Sequence, residues 1–433
     1  MTGPTEAAQD EAVTLCSELI RRDSSNPTSD ERAAAEYVAA LLAEVGLDPL
    51  ITEAAPGRAN VVARIDGSEP DRDGLLVHHH LDVVPADPAE WKVHPFSGEI
   101  REGYVWGRGA VDMKGNIAAT LAAVRDMRRR GVRPRRDLVL AFSADEEAGG
   151  HFGVKHLART HRDLFDGCSE AIGEIGGFSL SVRDDLRFYM VQVAEKGQAW
   201  MRLTAEGRAG HGSMRNSANP VSALAEAVAR IGGHDFPVEL TPATRDFLEA
   251  FAAAKGVEFD ASAPEALLPL LGSFARVVDA ALRHTVNPTM LDSGYKINVV
   301  PSTAEAHIDG RFLPGRAEEF TAVIDSMLPP AVTREWAHHD ISVETTFDGD
   351  LVEAMAAAVG SQDPQSQLVP YCTSAATDAK TYHTLGIRCF GFMPLRLPSD
   401  LDFHALFHGV DERVPVDSLH FAVRVLDRFL LTC

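Results

Sequence analysis

The feature that most constrains the fold is a short apolar run that ends in histidines and an acid. Residues 75–82 read LLVHHHLD, so three apolar residues precede three histidines and the acid Asp82. A short apolar run of this kind predicts a buried strand, and ligands of an open α/β sheet gather at the carboxyl ends of its strands. Because residues two apart on a strand point to the same side, His80 and Asp82 are expected to face one site together. A carboxylate that orients a histidine makes that histidine a good metal ligand, so the segment is a candidate metal site. The alternative interpretation of the segment is a histidine-rich surface turn.

Similar apolar runs alternate with helical patterns through the first part of the chain. Thr28 and Glu31 are spaced as a capping box for the second helix, and Gly46 as its left-handed C-terminal cap. Strands that alternate with helices predict an α/β fold, with a mixed, mostly parallel sheet covered by helices. The predicted helices are 6–22, 28–45 and Asn116–Arg130, and the predicted strands are Asn60–Ile65, Leu75–His80 and Asp137–Ser143.

Around residue 195 the pattern changes to that of a second, smaller domain. If a helical stretch at about 233–290 is set aside, the elements follow the order β-α-β-β-α-β, which is typical of a ferredoxin-like α+β domain. We therefore expect residues 1–195 and 348–433 to form the larger domain, and residues 196–347, with the helical insertion, to form the smaller one. The predicted strands are Gln198–Ala205, Lys296–Val300, Ala304–Arg311 and Ile341–Thr346, the predicted helices are Asn219–Ile231 and Ala317–Met327, and Thr241-Pro242 and Ser262-x-x-Glu265 are expected helix starts in the insertion.

Composition excludes several classes of partner. The chain has 433 residues, 45% hydrophobic and 24% charged, which is ordinary for a soluble protein and long enough for two domains. A net charge of −22 disfavours nucleic acids and anionic membranes as partners. The first residues lack the basic and apolar regions of a secretory signal, and no run is long enough to span a bilayer. The five scattered cysteines have no metal-binding spacing, so we expect reduced thiols and a cytoplasmic location.

A glycine-rich loop and an acidic turn supply further candidates. Asp112 lies in the loop Gly107–Gly115, where an acid is most often a helix N-cap, although the glycines also permit close approach to an ion. The loop has neither a Walker nor a dinucleotide pattern, so no nucleotide site is predicted. Glu146 and Glu147 follow a predicted strand, where adjacent carboxylates are costly unless a cation lies among them. They point in different directions, so one could bind metal while the other moves a proton; the alternative is a solvated acidic turn.

Two later segments complete the set of candidates. Glu174 follows the next strand-like segment in the same way, and its alternative interpretation is a plain loop glutamate. His408 lies in a turn near the end of the chain. His404 precedes it by four residues and is a rival ligand, but we favour His408.

Together these positions match a known family. The chain resembles the M20 family of metallopeptidases and aminoacylases, which includes carboxypeptidases, desuccinylases and dipeptidases. The resemblance covers nearly the whole chain, and its specificity comes from seven motifs in the right order. They are HLDVVP (80–85), GRGAVDMKG (107–115), SADEEAGG (143–150), GEIGG (173–177), AGHGSM (209–214), NVVPSTAEAHIDGRFLPG (298–315) and HGVDERV (408–414).

The resemblance implies a dizinc amidohydrolase that cleaves small peptides or N-acyl amino acids with a free carboxylate. Asp112 would bridge two Zn²⁺ ions, with Co²⁺ or Mn²⁺ as substitutes, and the peptide bond that follows it would be cis. His80 and Glu174 would complete one metal site, and Glu147 and His408 the other. The fold implied is that of a zinc peptidase with an inserted lid.

The resemblance also assigns groups around the metals. Asp82 would orient the first ligand, and Glu146 would be the general base and acid. His211 is similar to the family's lid histidine, which reaches the neighbouring subunit's site and polarises the scissile carbonyl. Asn298 and Arg311 match positions that bind the substrate carboxylate, which suits the planar arginine fork. The smaller domain is therefore expected to be a lid and dimerisation domain of a homodimer; without the resemblance, His211 would be a turn residue and Arg311 a surface ion-pair partner.

The chain departs from the family's pattern in places that bear on the ligands and the substrate. His79 replaces a glycine before the first ligand, so a slip of register would put His78 in the site, although Asp82 favours His80. Ala376 replaces the glycine of a GTDA-like segment, and the helical insertion looks like that of the aminoacylase and carboxypeptidase-S branch. The rival hypothesis is a non-catalytic small-molecule binding protein on the same fold. Such a protein would be expected to have lost ligands or the base, and none is missing.

Overall fold

The computed structural model describes residues 3–433, and the first part of the chain supplies most of a large sheet. Its helices are α1 (Glu6–Ile20), α2 (Arg32–Ala43), α3 (Lys114–Arg129) and α4 (Val154–Thr160). Its strands are β1 (Leu50–Ala55), β2 (Arg58–Ile65), β3 (Gly74–His80), β4 (Ile100–Arg101), β5 (Tyr104–Trp106), β6 (Leu138–Ser143), β7 (Cys168–Gly173), β8 (Ser179–Arg183) and β9 (Leu186–Glu195).

The middle of the chain forms a second sheet, and the last part returns to the first. The middle elements are β10 (Gly197–Glu206), β11 (Gly210–His211), α5 (Pro220–Gly232), α6 (Pro242–Lys255), α7 (Ala275–Ala281), β12 (Thr285–Ser293), β13 (Val299–Val300), β14 (Thr303–Phe312), α8 (Ala317–Ser326) and β15 (Val332–Asp340). The last elements are β16 (Val343–Glu344), α9 (Asp350–Gln362), β17 (Ser366–Thr373), α10 (Ala379–Thr384), β18 (Arg388–Gly391), β19 (Arg413–Pro415) and α11 (Val416–Thr432).

A ten-stranded mixed sheet organises the larger part of the molecule, along the path β1-β2-β6-β3-β7-β18-β9-β16. The central strands β6, β3, β7 and β18 run parallel. Every residue of β3 is buried. Leu75 and Val77 belong to the core that includes α1, α3 and α11, whereas Leu76 belongs to the core that includes α4 and α10. Helices therefore cover both faces of the sheet, which confirms the predicted α/β class.

The four-stranded sheet is antiparallel, in the order β12-β14-β10-β15. Helices α5 and α8 pack on one of its faces, around a core separate from those of the large sheet. Ala199, Met201 and Leu203 of β10 point into that core, while Trp200 between them is exposed. The chain thus follows the β-α-β-β-α-β order that the sequence indicated.

Two of the predicted strands in this sheet were wrong. Of the predicted strand Lys296–Val300 only β13 forms, and it pairs with β11 in a separate two-stranded ribbon. Its place in the four-stranded sheet is taken by β12, which lies mostly within the stretch that was predicted to be helical. Of the predicted strand Ile341–Thr346 only β16 forms, and it pairs with β9 of the large sheet. The strand of the four-stranded sheet is β15, which ends one residue before the predicted start, at Asp340. Both β12 and β15 are edge strands and β12 is largely exposed, so neither needs the apolar run that identifies a buried strand.

The helical insertion belongs to the large sheet's core. Phe247 and Phe251 of α6 pack with the residues of that core, and α6 contacts β17 and β8. Thr241 caps α6 through a capping box with Thr244, which confirms this helix start. Ser262 starts no α-helix, because its hydroxyl binds Asp260 and the segment that follows is a 3-10 helix.

The predicted start of the second helix was also wrong. Helix α2 begins at Arg32, and the preceding Glu31 does not cap it through its side chain. Instead the Glu31 carboxylate is buried and accepts a hydrogen bond from Arg58 Nη1 at 2.5 Å. Glu31 therefore forms an ion pair with Arg58 of β2 instead of a capping box with Thr28. Gly46 does have the left-handed conformation expected after the helix, with φ of 75°.

All five cysteines are free thiols in the part of the chain that the structure describes, and four of them are buried. Among residues 3–433 no helix is long and apolar enough to cross a bilayer.

The segment that follows β7 approaches the end of β18 closely at Gly176, and replacement of Gly176 by alanine tests this contact. An added Cβ would overlap the backbone carbonyl of Gly391, so one of the two strand ends would have to move. We expect Gly176→Ala to lower the free energy of unfolding by about 1–3 kcal/mol, the usual cost of overpacking, in urea denaturation. Gly360→Ala is the matched control, because its Cβ would meet only Ser366 Oγ at 3.9 Å; equal losses in the two variants would contradict the prediction.

Candidate metal centre

Three adjacent parallel strands deliver their acidic and histidine side chains to one edge of the large sheet. Strand β3 lies between β6 and β7, and all three end at this edge. His80 is the last residue of β3, Glu174 follows β7 directly, and Glu146 and Glu147 lie in a short 3-10 turn after β6. This is the edge at which ligands of open α/β sheets collect.

Asp112 lies between two pairs of side chains. Its Oδ1 is 3.0 Å from His80 Nε2, which is also 3.2 Å from Glu174 Oε2. Its Oδ2 is 3.4 Å from His408 Nε2, which is also 3.2 Å from Glu147 Oε2. The two oxygens of one carboxylate therefore face two different imidazoles, each of which has its own second carboxylate. The bond between Asp112 and Met113 is cis.

Asp82 connects the end of β3 to the turn after β6. His80 Nδ1 is 3.0 Å from the Asp82 carbonyl oxygen and 3.5 Å from its Oδ1. The Asp82 carboxylate accepts the backbone N–H groups of Glu146 at 3.0 Å and Glu147 at 3.1 Å, and an N–H of Asn26 Nδ2 at 3.0 Å. The contacts with His80 Nδ1 orient its ring with Nε2 toward Asp112. His80 and Asp82 thus face one site, as the alternation along an extended chain predicted.

The electrostatics of the cluster are those of crowded, buried carboxylates. Burial raises the pKa of Glu174 to about 8, although His80 opposes the shift. Burial, followed by the charge of Glu174, raises the pKa of Glu146 well above its usual range. Hydrogen bonds to Asp112 and Glu147 raise the pKa of His408 to about 10. The buried cluster therefore disfavours the ionised forms of Glu146 and Glu174.

The same side chains fit a divalent metal. Ligand atoms of His80, Glu146 and Glu174 lie within 4.8 Å of one another, as do those of His80, Asp112 and Glu147. Imidazole nitrogens and carboxylate oxygens are ligands that Zn²⁺ accepts. The Oε1 atom of Glu147 is buried without a hydrogen-bond partner, and metal coordination would satisfy it. Asp112, with one oxygen toward each group, suits the position between two ions.

The rival histidines lie elsewhere. His404 packs against Phe178 and Phe274, with ring centroids 4.9 and 5.1 Å away, and burial lowers its pKa to about 4. His78 packs against Tyr382 at 5.0 Å, and burial lowers its pKa to about 3. The structure therefore brings His80 and His408 to the cluster, and neither His78 nor His404 replaces them.

Glu412 is a structural residue of the site that the sequence analysis missed. Its fully buried carboxylate accepts the N–H groups of Gly109 at 3.0 Å, Val111 at 2.7 Å and Asp112 at 3.1 Å. Arg108 Nη1 donates to it at 2.7 Å, and Arg108 Nη2 donates to the His408 carbonyl at 3.3 Å. Glu412 thus shapes the glycine-rich loop that presents Asp112. The only signal in the sequence was its place in the HGVDERV motif.

Two cavities meet at the cluster, and both are lined by Glu146, Glu147 and His408. We call the first the apolar cavity; it measures about 430 Å³, and its walls include Ile175, Arg276, Val277, Tyr371, His404 and Phe407. We call the second the polar cavity; it measures about 530 Å³, and its walls include Lys155, Gln198, Trp200, Arg311, His338 and Asp340. Ala375 and Ala376 line both, so the segment after β17 separates them.

Of the three candidates from the middle of the chain, the structure brings one to the site. Arg311 lines the polar cavity, where it donates to Asp309 at 2.7 and 3.0 Å. His211 and Asn298 are exposed on and beside the β11–β13 ribbon, where Gly212 N donates to the Asn298 carbonyl at 2.9 Å. Neither lines either cavity among the described residues of the chain.

Comparisons with known proteins place this geometry in a family. The model of peptidase family M20/M25/M40 matches residues 76–432. The N-fatty-acyl-amino acid synthase/hydrolase PM20D1 of Xenopus tropicalis is 27% identical over 92% of this chain and 80% of its own length. Aminoacylase-1 of Homo sapiens is 28% identical over 95% of this chain and 92% of its own length.

Solved structures show the same fold. The M20 family metallo-carboxypeptidase Sso-CP2 of Sulfolobus solfataricus has a TM-score of 0.75 at 20% identity, covering 97% of this chain and 98% of that one. The YXEP protein of Bacillus subtilis, a dinuclear metal binding peptidase, has a TM-score of 0.64 at 12% identity, covering 99% and 98%.

The site and these matches define a metal-dependent hydrolase of amide or peptide bonds. The chain belongs to peptidase family M20/M25/M40.

Replacement of Glu412 by glutamine tests how the glycine-rich loop is held. The change leaves the buried Arg108 without its ion-pair partner, so we expect the free energy of unfolding to fall by about 3–5 kcal/mol. Because the loop presents Asp112, zinc affinity should also fall, by about 10- to 100-fold. Chemical denaturation and competition with a zinc chelator measure the two effects. Glu69→Gln, at an exposed ion pair with Arg135, should change neither; an unaltered zinc affinity in Glu412→Gln would contradict this account.

Proposed function

We propose that the protein is a dizinc amidohydrolase that cleaves N-acyl amino acids or small peptides with a free carboxylate. The observation that carries the proposal is the position of Asp112, with one oxygen toward His80 and the other toward His408. A bridging acid with separate ligand groups on its two sides is what a pair of cations requires. Two ions, when bound here, would lower the pKa of water and stabilise the charge that develops on a scissile carbonyl oxygen.

Glu146 is the residue placed to move protons. It lines both cavities, so it lies where the two halves of a substrate would meet. Burial and the neighbouring Glu174 keep the proton affinity of its carboxylate high. Such a group takes a proton from the attacking water and returns it to the leaving amine, which is the work of one general base and acid. Asp82 holds the Glu146 backbone N–H, which positions this side chain beside the ligands.

Arg311 is proposed to bind the substrate carboxylate. Its guanidinium lies in the polar cavity and already forms two hydrogen bonds to a carboxylate, that of Asp309. A planar fork of this kind suits bidentate binding of a second carboxylate from the substrate. The relatives include aminoacylase-1 and a metallo-carboxypeptidase, which supports both an acylated and a peptide substrate.

A non-catalytic binding protein is the less favoured alternative. Its defining feature would be the loss of a ligand or of the base. All five proposed ligands and Glu146 are present and converge.

We also propose that the active form is a homodimer joined through the four-stranded sheet. Strand β12 is an edge strand, and exposed apolar side chains lie on it and just beyond it, at Met290, Leu291, Tyr295 and Ile297. Contiguous exposed apolar side chains favour burial by a partner. Residues 211 and 298 lie beside this surface, so a second copy that covers it would bring His211 and Asn298 toward the neighbouring site.

Replacement of Glu146 by glutamine tests the mechanism. The wild-type protein should hydrolyse an N-acetyl amino acid, lose this activity to a chelator and regain it with Zn²⁺. Glu146→Gln should lower kcat by about 10²- to 10⁴-fold, because the proton transfer is lost. Metal analysis should find the same zinc content in the variant and in the wild type.

Glu258→Gln, at an exposed acid of the helical insertion, is the matched control and should keep full activity. Full turnover by a zinc-loaded Glu146→Gln protein would disprove the role of Glu146. Activity that survives complete removal of metal would disprove the dizinc proposal.

Mixing two inactive variants tests the role of His211 across subunits. His211→Ala and Glu146→Gln homodimers should each be nearly inactive. After exchange of subunits, half of the dimers are mixed, and each mixed dimer contains one intact site, so activity should return to about a quarter of the wild-type value. Sedimentation velocity shows whether the dimer is present. No recovery from a mixture that has exchanged its subunits would contradict catalysis across the dimer.

A further inference from the structure

We infer that the apolar cavity binds the acyl half of the substrate and selects an uncharged, apolar acyl group over an aminoacyl group. This inference rests on the proposed hydrolase function and specifies its substrate. The cavity opens onto Glu146, Glu147 and His408, so whatever fills it lies next to the scissile bond.

Away from the metal cluster, the walls of the cavity are apolar or uncharged except at Arg276. Val277 comes from α7, Ile175 from the segment after β7, and Phe407 from the turn before His408. All three pack against the large core. Tyr371 and His404 also line the cavity; His404 packs against Phe178 and Phe274, and burial lowers its pKa to about 4. A chain of methylene groups would replace water along these surfaces, which is favourable.

Among the described residues that line it, the cavity offers the ammonium group of a peptide no carboxylate outside the metal cluster. Its acidic lining residues are the four of the metal cluster, Asp112, Glu146, Glu147 and Glu174, which metal binding and proton transfer occupy. Desolvation of an ammonium group without a partner is costly, so a free dipeptide would bind poorly here. An acyl group carries no such charge.

Arg276, the one arginine or lysine among the described residues that line the cavity, is already paired. Arg276 Nη2 lies 2.7 Å from Asp402 Oδ1, and the Arg276 side chain is about half exposed. Its charge is therefore compensated and partly in water. A distal carboxylate on the acyl group, as in an N-succinyl substrate, would have to compete with Asp402 for this guanidinium.

The polar cavity has the opposite character, which fixes the direction of the substrate. Arg311, Lys155 and Asp340 line it, and Lys155 and Asp340 form an ion pair at 3.5 Å. The amino acid half, with its carboxylate, belongs on this side. The amide bond then lies at the residues that the two cavities share, with the acyl group in the apolar cavity.

The test compares substrates that differ only in the acyl half. The N-acetyl, N-butanoyl, N-hexanoyl and N-succinyl derivatives of one amino acid are measured with the zinc-loaded protein, along with the alanyl dipeptide of that amino acid. Each methylene buried is worth about 0.8 kcal/mol, so kcat/KM should rise about fourfold per methylene up to hexanoyl. The N-succinyl derivative and the dipeptide should both fall below the N-butanoyl derivative, by tenfold or more if the charge is fully desolvated.

Val277 is the residue to change, because it lines the cavity but lies far in sequence from the proposed ligands. Val277→Trp should narrow the cavity and lower the ratio of N-hexanoyl to N-acetyl kcat/KM by tenfold or more. Val277→Ala should keep or raise that ratio, and it tests the same wall if the tryptophan variant does not fold. Val257→Trp, at an exposed position of the same insertion, should leave the ratio unchanged.

The outcomes separate this inference from the proposed function. If the N-acetyl substrate is cleaved but chain length has no effect, or if the N-succinyl or dipeptide substrate is preferred, the acyl-pocket inference is wrong and the hydrolase proposal stands. An unchanged ratio in a folded Val277→Trp protein also overturns it. If no member of the series is cleaved by the zinc-loaded protein, the proposed function itself fails.

Discussion

Repulsion among buried carboxylates is the constraint on which the site depends. Asp112, Glu147 and Glu174 converge with two imidazoles at one sheet edge, where burial opposes negative charge. Burial accordingly raises the pKa of Glu174 to about 8. A divalent cation among these carboxylates would favour their ionised forms. The fold thus holds together side chains that would separate in an unfolded chain.

Rigid connections beneath the ligands make this crowding possible. Glu412 holds three backbone N–H groups of the glycine-rich loop and, through Arg108, the turn that carries His408. Asp82 does the same for the turn after β6. Both acids satisfy backbone donors that would otherwise be buried without partners, which is costly. These hydrogen bonds therefore hold the side chains of the cluster close to one another.

The two cavities take their walls from different parts of the chain. The four-stranded sheet contributes Arg311 and other polar groups to one cavity, and the helical insertion contributes Val277 and Arg276 to the other. The insertion reaches the site because α6 and α7 pack on the large sheet's core rather than on the smaller sheet. Sequence order alone placed it inside the smaller domain, since no local pattern reveals which of two cores an amphipathic helix will join.

The sequence by itself determined the buried central strands, the acidic and histidine residues that follow them and the alternation of strands with helices, because a buried central strand is a continuous apolar run. It also placed His80 and Asp82 on one side of β3, since the period of a strand is local. Only the tertiary structure decided the edge strands β12 and β15, the separation of His404 and His78 from the cluster, and the role of Glu412. These features depend on contacts with residues distant in the chain. The position of an edge strand and the role of a buried acid are set by those contacts and not by the neighbouring residues in the sequence.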